Sequence, residues 1–293
     1  MTTVGFIGLG AMGLPMARNL VQRQFRVRGF DLKREALDSL ADAGGTAATT
    51  AAEAADGADV LVLMVVNAAQ AESVLFDGGA LAAMAAGGSV ILMATCPPGA
   101  VQALASRIEA AGRALVDAPV SGGVGGATKG TLTIMVGGPT ARVETVKPVL
   151  DALGDKVFHV GEIPGQGAAV KTVNQLLCGV HIAAAAEGLA LAQKAGVDPA
   201  LALKILQGSA AGSWMLNDRG PRMLEDAPRV TSAVDIFVKD LGIVLDAGRA
   251  GKVATPLAAV AHQMFLAASA QGLGHEDDSQ VIEVYRALAG IGE

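Results

Sequence analysis

The first chemically distinctive feature is a glycine-rich hexapeptide near the N-terminus, Gly8-Leu9-Gly10-Ala11-Met12-Gly13. It lies between the apolar run VGFI and the segment LPMARNL, whose apolar residues have helical spacing. In a strand–turn–helix unit, the first glycine permits a tight turn, the second lets a pyrophosphate approach the backbone, and the third lets the helix pack on the strand. The amides at the helix start also attract phosphate. The hexapeptide therefore predicts a dinucleotide site.

An acidic residue follows at the spacing that such a site requires. Asp31 ends the predicted strand VRGFD, eighteen positions after Gly13. A carboxylate there accepts hydrogen bonds from the adenosine ribose and repels the extra phosphate of NADP, so it favours NAD. Lys33 and Arg34 come next and could hold that phosphate, which keeps NADP possible. An ordinary helix-capping role is the alternative for Asp31.

A second glycine-rich segment lies in the middle of the chain, in DAPVSGGVGGATKG at 117–130. We interpret it as a loop, because it follows the apolar strand ALVDAPV and precedes a returning strand, TLTIMVGG. Ser121, Gly122 and Gly123 offer a hydroxyl and exposed main-chain amides, which can hold a carboxylate. This predicts a clamp for an acidic substrate, with a simple glycine turn as the alternative.

A lysine in an apolar helical setting, AAVKTVNQLL, is the candidate for proton transfer. Asn174 and Gln175 follow Lys171 by three and four positions, so on a helix they share its face. A cation flanked by two amides is typical of a proton-transfer group with positioning partners. A lysine whose stem is buried and whose charge reaches solvent is the alternative.

Other polar and aromatic residues allow two interpretations each. Thr95, after the strand GGSVILMAT, either hydrogen-bonds a cofactor or caps the next helix. Lys239 and Asp240 stand in an apolar helix, where a structural ion pair is the simpler interpretation. Trp214 and Phe237 are core residues or pocket walls. The four histidines have no metal-ligand spacing, so we predict no metal.

The elements that must position these residues fall into two halves. Up to residue 163, apolar runs such as DVLVLMVV alternate with helical segments, which is typical of a parallel sheet covered on both faces. From residue 164 the pattern is helical, beginning with a long helix between Gly167 and Gly196. We predict a Rossmann-type α/β domain with a mostly parallel sheet over 1–163. An all-α domain for substrate binding and oligomerisation, joined by the long helix, is predicted over 164–293.

The composition restricts the class of protein. A net charge of −6 and the lack of any Lys/Arg cluster argue against nucleic-acid binding. Two cysteines cannot form a disulfide framework, which fits a reducing compartment. The first positive charge is Arg18, which argues against a secretory signal, and the apolar stretch 253–274 is interpreted as a core helix. We expect a soluble cytoplasmic protein without membrane partners.

Four separated blocks, in this order, resemble the β-hydroxyacid dehydrogenase family, which includes 3-hydroxyisobutyrate dehydrogenase and tartronate semialdehyde reductase. GFIGLGAMGLPMARNL resembles the family's cofactor block, and DAPVSGGVGGATKGTLTIMVGG its substrate block. GQGAAVKTVNQ resembles its catalytic block, and KDLGIVLD its second cofactor block. The resemblance covers nearly the whole chain. It departs from the family pattern at Gln24, where glycine is usual, and at Asn67, where proline is common.

The resemblance implies roles for individual residues. The cofactor is NAD, with NADP possible, and its implied contacts are Gly8, Leu9, Gly10, Ala11, Met12, Gly13, Asp31, Val65, Thr95 and Lys239. The implied catalytic residue is Lys171, assisted by Asn174 or Gln175. The substrate contacts are Ser121, Gly122, Gly123, Trp214 and Phe237. A homodimer or homotetramer is expected because dimers and tetramers are common in the family.

Within the family, GSAAGSWMLNDRGPRMLED and SAVDIFVKDLGIVLD look most like the L-threonate dehydrogenases, which oxidise a four-carbon sugar acid. This implies oxidation of a sugar acid such as L-threonate to its 2-keto acid. The alternatives are a 3-hydroxyisobutyrate dehydrogenase and a tartronate semialdehyde reductase. A non-catalytic NAD-binding regulator would be expected to lack the lysine or the SGG clamp, and both are present.

Overall fold

The structure is a computed structural model that describes residues 2–291. Its N-terminal compact unit, which ends at Lys171, is built on one sheet. The strands are β1 (Thr3–Ile7), β2 (Arg26–Phe30), β3 (Thr46–Ala47), β4 (Val60–Leu63), β5 (Ser89–Leu92), β6 (Ala114–Asp117), β7 (Val120–Ser121), β8 (Thr133–Gly137) and β9 (Lys156–Gly161). Their order is β3-β2-β1-β4-β5-β6-β8-β7, with β9 beside β8. Pairings among β1 to β6, and of β8 with β9, are parallel. Only β6 and β7 pair antiparallel with β8 among the described strands.

Helices connect these strands. They are α1 (Gly13–Gln22), α2 (Arg34–Asp42), α3 (Ala51–Ala55), α4 (Ala68–Glu72), α5 (Ala80–Ala83), α6 (Pro98–Ala110), α7 (Gly123–Lys129), α8 (Thr140–Leu153) and the start of α9 (Gln166–Lys194). Apolar side chains cover both faces of the sheet. Val62 and Ile91 belong to one buried cluster with residues of α1 and α8, and Leu61 and Leu92 to another with residues of α3 and α6. Continuous apolar strands are therefore required by burial on both sides.

The second compact unit, from Thr172, is helical. It contains the rest of α9, then α10 (Pro199–Gln207), α11 (Trp214–Arg219), α12 (Val234–Gly251), α13 (Pro256–Ala268) and α14 (Ile282–Leu288). Over 172–291 the only β-type pairing is an isolated bridge between Ala233 and Asp277. The predicted fold class, a mostly parallel Rossmann-type unit followed by an all-helical one, is confirmed.

The first turn of α9 packs with the sheet. Ala168 is buried in the same cluster as Leu92, and its amide donates to the carboxylate of Asp117 at 2.7 Å. These contacts explain why the compact units divide after Lys171, inside the helix. The sequence-based boundary lies earlier, between residues 163 and 164, and stays a prediction.

The long helix α9 follows its prediction closely, starting one residue before Gly167 and ending two before Gly196, which has a left-handed φ of +77°. A Cβ at Gly179 would come within 2.7 Å of Leu241, so this glycine permits a close approach. Gly188 has open space instead. The helix is long and apolar enough to cross a membrane by length and composition alone, a criterion that core helices of soluble proteins also meet.

The segment interpreted as a glycine loop is in part a helix. Residues 123–129 form α7, in spite of three glycines, and the expectation of a loop through residue 130 was wrong. Tertiary contacts outweigh the poor helix propensity of glycine. Ala127 is buried, and its carbonyl accepts a 2.7 Å hydrogen bond from the side chain of Asn19. The returning strand is present as β8.

The family departure at Gln24 has a conformational cost. Gln24 adopts a φ of +65°, in the left-handed region that residues with a Cβ avoid. We expect Gln24→Gly to raise the free energy of unfolding by about 1 kcal/mol, because relief of this strain exceeds the added entropy of the unfolded chain. Urea denaturation measures the change. Arg23→Gly, at a φ of −86°, is the matched control and should lower stability. A Gln24→Gly variant no more stable than wild type would contradict this interpretation.

Candidate functional site

The glycine turn after β1 has the geometry of a dinucleotide cradle. Gly8 has a φ of +94°, and a Cβ there would come within 2.5 Å of the carbonyl oxygen of Met64. A Cβ at Gly13 would overlap the carbonyl of Gly8, so α1 packs on the turn only with glycine at this position. By contrast, nothing lies within 4 Å of a Cβ at Gly10, which leaves open space above the turn. This space and the first amides of α1, which lack intrahelical partners, fit a pyrophosphate.

Asp31 lies directly beside this turn. Its carboxylate accepts hydrogen bonds from the amide of Leu9 at 2.6 Å and from the amide of Lys33 at 2.8 Å. Lys33, and not Asp31, is the N-cap residue of α2, so simple helix capping does not describe Asp31. The Arg34 side chain, 2.9 Å from Asp38, forms an ion pair along α2. Asp31 is therefore held against the glycine turn, and its contact with ribose stays a prediction.

Val65 and Thr95 follow β4 and β5 at the carboxyl edge of the sheet. The main chain at Val65 lies close to Gly8, since a Cβ at Gly8 would be 3.2 Å from the nitrogen of Val65. Helix α6 begins at Pro98 with Pro97 as its N-cap residue, so Thr95 does not occupy the capping position. Ligands of open α/β sheets bind at this edge. The structure thus brings Val65 and Thr95 to the same edge as the glycine turn.

The proposed substrate clamp lies between β7 and α7. Ser121 is the last residue of β7 and pairs with Thr133 of β8. Gly122 and Gly123 have φ values of +131° and +60°, conformations that side-chain-bearing residues rarely adopt. Glycine is therefore required at both positions for the backbone to leave β7 and enter α7. Carboxylate binding by these three residues stays a prediction.

Lys171 is buried, with 6% of its surface exposed, in the second turn of α9. A surface lysine with a solvated charge would be far more exposed, so the snorkelling interpretation does not fit. Asn174 and Gln175 follow on the same continuous helix, at positions that share its face. Asn174 accepts a weak hydrogen bond from the thiol of Cys178 at 3.6 Å. Burial in an apolar helix is the environment expected of a proton-transfer lysine.

Within the second unit, a buried carboxylate connects two of the predicted residues. Asp240 accepts a 2.5 Å hydrogen bond from Nε2 of Gln175, and Nζ of Lys239 lies 2.7 Å from its other oxygen. The ion pair that the sequence offered as the simpler of two interpretations is therefore present. The link to Gln175, 65 residues away, had no sequence signal beyond an acid in an apolar helix. The role of Lys239 toward the cofactor stays a prediction.

The two aromatic candidates differ in environment. Trp214 begins α11 and is 54% exposed, with Ser213 capping the helix through the amide of Leu216. Phe237 is buried in the core of the second unit, where it stacks on Phe265 with ring centroids 5.1 Å apart. The core interpretation thus describes the position of Phe237. Substrate contacts by either residue stay predictions.

Asp117 is a functional candidate that sequence reasoning missed. It ends β6 with no exposed surface, and Oδ2 accepts the amide of Ala168. Burial raises the pKa of Asp117 to about 6, because desolvation outweighs the main-chain hydrogen bonds from the start of α9. The signal in the sequence was an acid at the end of the apolar strand ALVD. Within residues 2–291, no group of three or more His, Cys, Asp or Glu side chains is placed to hold a metal ion.

The raised pKa of Asp117 makes stability depend on pH. Because the pKa is about 6 when folded and near 3.8 when unfolded, the folded state binds the proton more tightly. The contribution of Asp117 to the free energy of unfolding therefore falls as pH rises from about 4 to about 6, by about 3 kcal/mol.

The substitution Asp117→Asn removes this titration. The difference in unfolding free energy between variant and wild type should shift by most of that amount, about 2 kcal/mol, in favour of the variant between pH 4 and pH 7. Urea denaturation at both pH values measures it, and a pH-independent difference would contradict the assignment.

Comparison with known proteins finds one family model that matches most of the first unit and another that matches most of the second. The model for the NAD-binding domain of 6-phosphogluconate dehydrogenase matches residues 3–161. The model described as NAD-binding of NADP-dependent 3-hydroxyisobutyrate dehydrogenase matches residues 165–285.

Full-length relatives are also found. An L-threonate dehydrogenase of Cupriavidus necator is 48% identical over 283 residues, which cover 96% of this chain and 95% of that protein. A 3-hydroxyisobutyrate dehydrogenase of Pseudomonas aeruginosa is 38% identical, over 98% of this chain and 99% of that protein. The crystal structure of a 3-hydroxyisobutyrate dehydrogenase from Salmonella typhimurium has a TM-score of 0.93 and 41% identity, and covers 97% of this chain and 100% of that one.

Proposed function

Since this chain belongs to the 3-hydroxyisobutyrate dehydrogenase-like family of NAD(P)-dependent hydroxyacid dehydrogenases, we propose that it oxidises a small sugar acid, with L-threonate as the first candidate and Lys171 as the proton-transfer residue. The observation that carries the proposal is a lysine buried to 94% in an otherwise apolar helix turn, at the position of the family's catalytic block. The resemblance of the block around Trp214 to L-threonate dehydrogenases, and the 48% identity to one of them, support the choice of substrate.

The residues of the chain suggest how the reaction proceeds. The main-chain amides at Gly122 and Gly123 and the hydroxyl of Ser121 hold the carboxylate of the substrate, which places the neighbouring carbinol group. A nicotinamide cofactor supplies the acceptor for the hydride that leaves the carbinol carbon. Lys171, in its neutral form, takes the proton of the hydroxyl group, so that hydride and proton leave together and a ketone remains. In the reverse direction the charged Lys171 donates this proton.

The amide side chains would position the substrate hydroxyl and Lys171. Because Nε2 of Gln175 donates to Asp240, the orientation of this amide is fixed and its oxygen remains able to accept. Asn174, one residue earlier on α9, supplies a second amide. Holding groups in place before reaction is how such side chains accelerate a step in which they exchange no electrons.

The proposed cofactor is NAD in preference to NADP. The carboxylate of Asp31 is held against the glycine turn by Leu9 and Lys33, where it would meet the ribose hydroxyls and repel a 2′-phosphate. The family includes enzymes that use either cofactor, so this preference belongs to the proposal.

We also propose a homodimer or homotetramer in the cytoplasm. Val173, Leu177 and Leu191 are exposed large apolar residues on α9, and their spacings of 4 and 14 place them on one face of the helix. An exposed apolar stripe of this kind favours burial against another surface. Nucleic acid and membranes are not proposed as partners.

Replacement of Lys171 tests the proposed mechanism directly. Lys171→Ala should lower kcat by about 100-fold or more, because a positioned proton-transfer group contributes that much, while NAD binding remains nearly unchanged. Steady-state kinetics and titration of NADH fluorescence measure the two quantities. The matched control is Lys147→Ala on α8, where the lysine pairs with Asp151 at the surface. More than a tenth of wild-type turnover in the Lys171 variant would overturn the assignment.

A substrate panel tests the choice of hydroxy acid. L-threonate, D-threonate, D-erythronate, D-glycerate and 3-hydroxyisobutyrate are each assayed with NAD and with NADP. We expect the highest kcat/KM for L-threonate with NAD. A higher value for 3-hydroxyisobutyrate would favour the alternative that the Pseudomonas and Salmonella relatives represent. Turnover of none of the acids would favour a non-catalytic NAD-binding protein.

A further inference from the structure

Main chain from two other elements, the end of β8 and the start of α9, surrounds the carboxylate of Asp117. Oδ2 accepts the amide of Ala168 at 2.7 Å. A Cβ on Gly167 would come within 2.9 Å of the same oxygen, and a Cβ on Gly137 would overlap Oδ1. The end of β6, the end of β8 and the start of α9 therefore meet at one side chain, and two of them must be glycine for it to fit.

Asp117 also connects the two parts of the proposed site, the clamp at Ser121 and the lysine at 171. In one direction, β6 leads through Pro119 and β7 to Ser121, four residues after Asp117. In the other, the hydrogen bond reaches Ala168, and Lys171 follows three residues later, about one turn of the helix. All of these residues belong to the first compact unit.

We propose that Asp117 is a positioning residue, which holds the first turn of α9 to the end of β6 and thereby sets the distance between Lys171 and the clamp of Ser121, Gly122 and Gly123. This inference rests on the proposed function, in which Lys171 transfers the proton. Asp117 does not touch the reacting atoms in this proposal. Its effect on turnover is exerted through the placement of the helix.

A carboxylate suits this role better than an apolar contact. The first amides of a helix lack intrahelical partners, and a carboxylate can accept from more than one of them at a defined distance and direction. An apolar side chain would fill the same space without fixing the helix along its axis. Oδ1 is buried and accepts no hydrogen bond of ordinary geometry from the described part of the chain, so stability alone does not account for an ionisable group here.

The test compares Asp117→Asn with Asp59→Asn. Asp59 also accepts a main-chain amide, that of Thr3 at 2.9 Å, in the same unit but away from the proposed site. For D117N we expect kcat/KM for L-threonate to fall about 10- to 100-fold, because the NH2 group that replaces one oxygen cannot accept from the amides at the start of α9 and a displacement of about 1 Å costs that much. The Kd for NADH should stay within about twofold, because Asp117 has no contact with the glycine turn. D59N should keep wild-type values of both.

A second variant makes the test independent of whether D117N folds. Gly167→Ala leaves the carboxylate in place but pushes the helix start away from it, since its Cβ would overlap the carbonyl of Met135. The same loss of kcat/KM with unchanged NADH binding is expected. Gly188→Ala, on the same helix with open space around its Cβ, is the matched control and should stay fully active. If D117N does not fold, the Gly167 variant decides by the same criteria.

The outcomes separate this inference from the proposed function. Kinetics of D117N and G167A within twofold of wild type, with Lys171→Ala inactive, would overturn the positioning role alone. A parallel loss of NADH binding and of Tm in both variants would overturn it too, because general structural damage would then explain the loss of activity. A fully active Lys171→Ala would overturn the proposed function whatever the other variants show.

Discussion

A hydrogen bond from the amide of Ala168 to the buried carboxylate of Asp117 joins the helix that carries Lys171 to the sheet that carries the glycine-rich turns. The first turns of α9, as far as Lys171, belong to the same compact unit as the sheet, so the position of the first turn determines where Lys171 lies relative to the sheet edge. The bond crosses 51 residues of chain and is fully buried. The position of Lys171 relative to β6 therefore depends on this contact.

The second constraint is the close approach of main chain to main chain at the carboxyl edge of the sheet. Gly8, Gly13 and Gly137 each lie where a Cβ would meet a carbonyl or a carboxylate oxygen. Because these residues have no side chains, the main chain itself forms the surface at this edge, and it presents amides and open space above Gly10. That is the surface a flat, charged cofactor needs, because amides bind phosphate without the flexibility of a long side chain.

Local features of the fold were predictable, and contacts between distant residues were not. The glycine turn, the apolar strands and the period of α9 depend on residues adjacent in the sequence, and the structure has them close to their predicted bounds. Helix α7 was missed because its glycines favour a turn locally, whereas burial of Ala127 and its bond to Asn19 stabilise a helix. The links of Asp117 to Ala168 and of Asp240 to Gln175 join residues more than fifty positions apart, which no local pattern encodes. Lys171 could be singled out from the sequence because a charged residue in an apolar helical segment is unusual, and its burial is observed.

The crowding around Asp117 also affects how the chain can change over evolutionary time. A methyl group gained at 137 would meet both the carboxylate of Asp117 and the main-chain nitrogen of Gly167, and one gained at 167 would meet the carbonyl of Met135, so a shorter residue at 117 does not make room at either position. A shorter residue at 117 in turn abandons the helix amide. Both glycines are therefore held by the surrounding main chain itself, and substitution at 117 opens no route to their replacement.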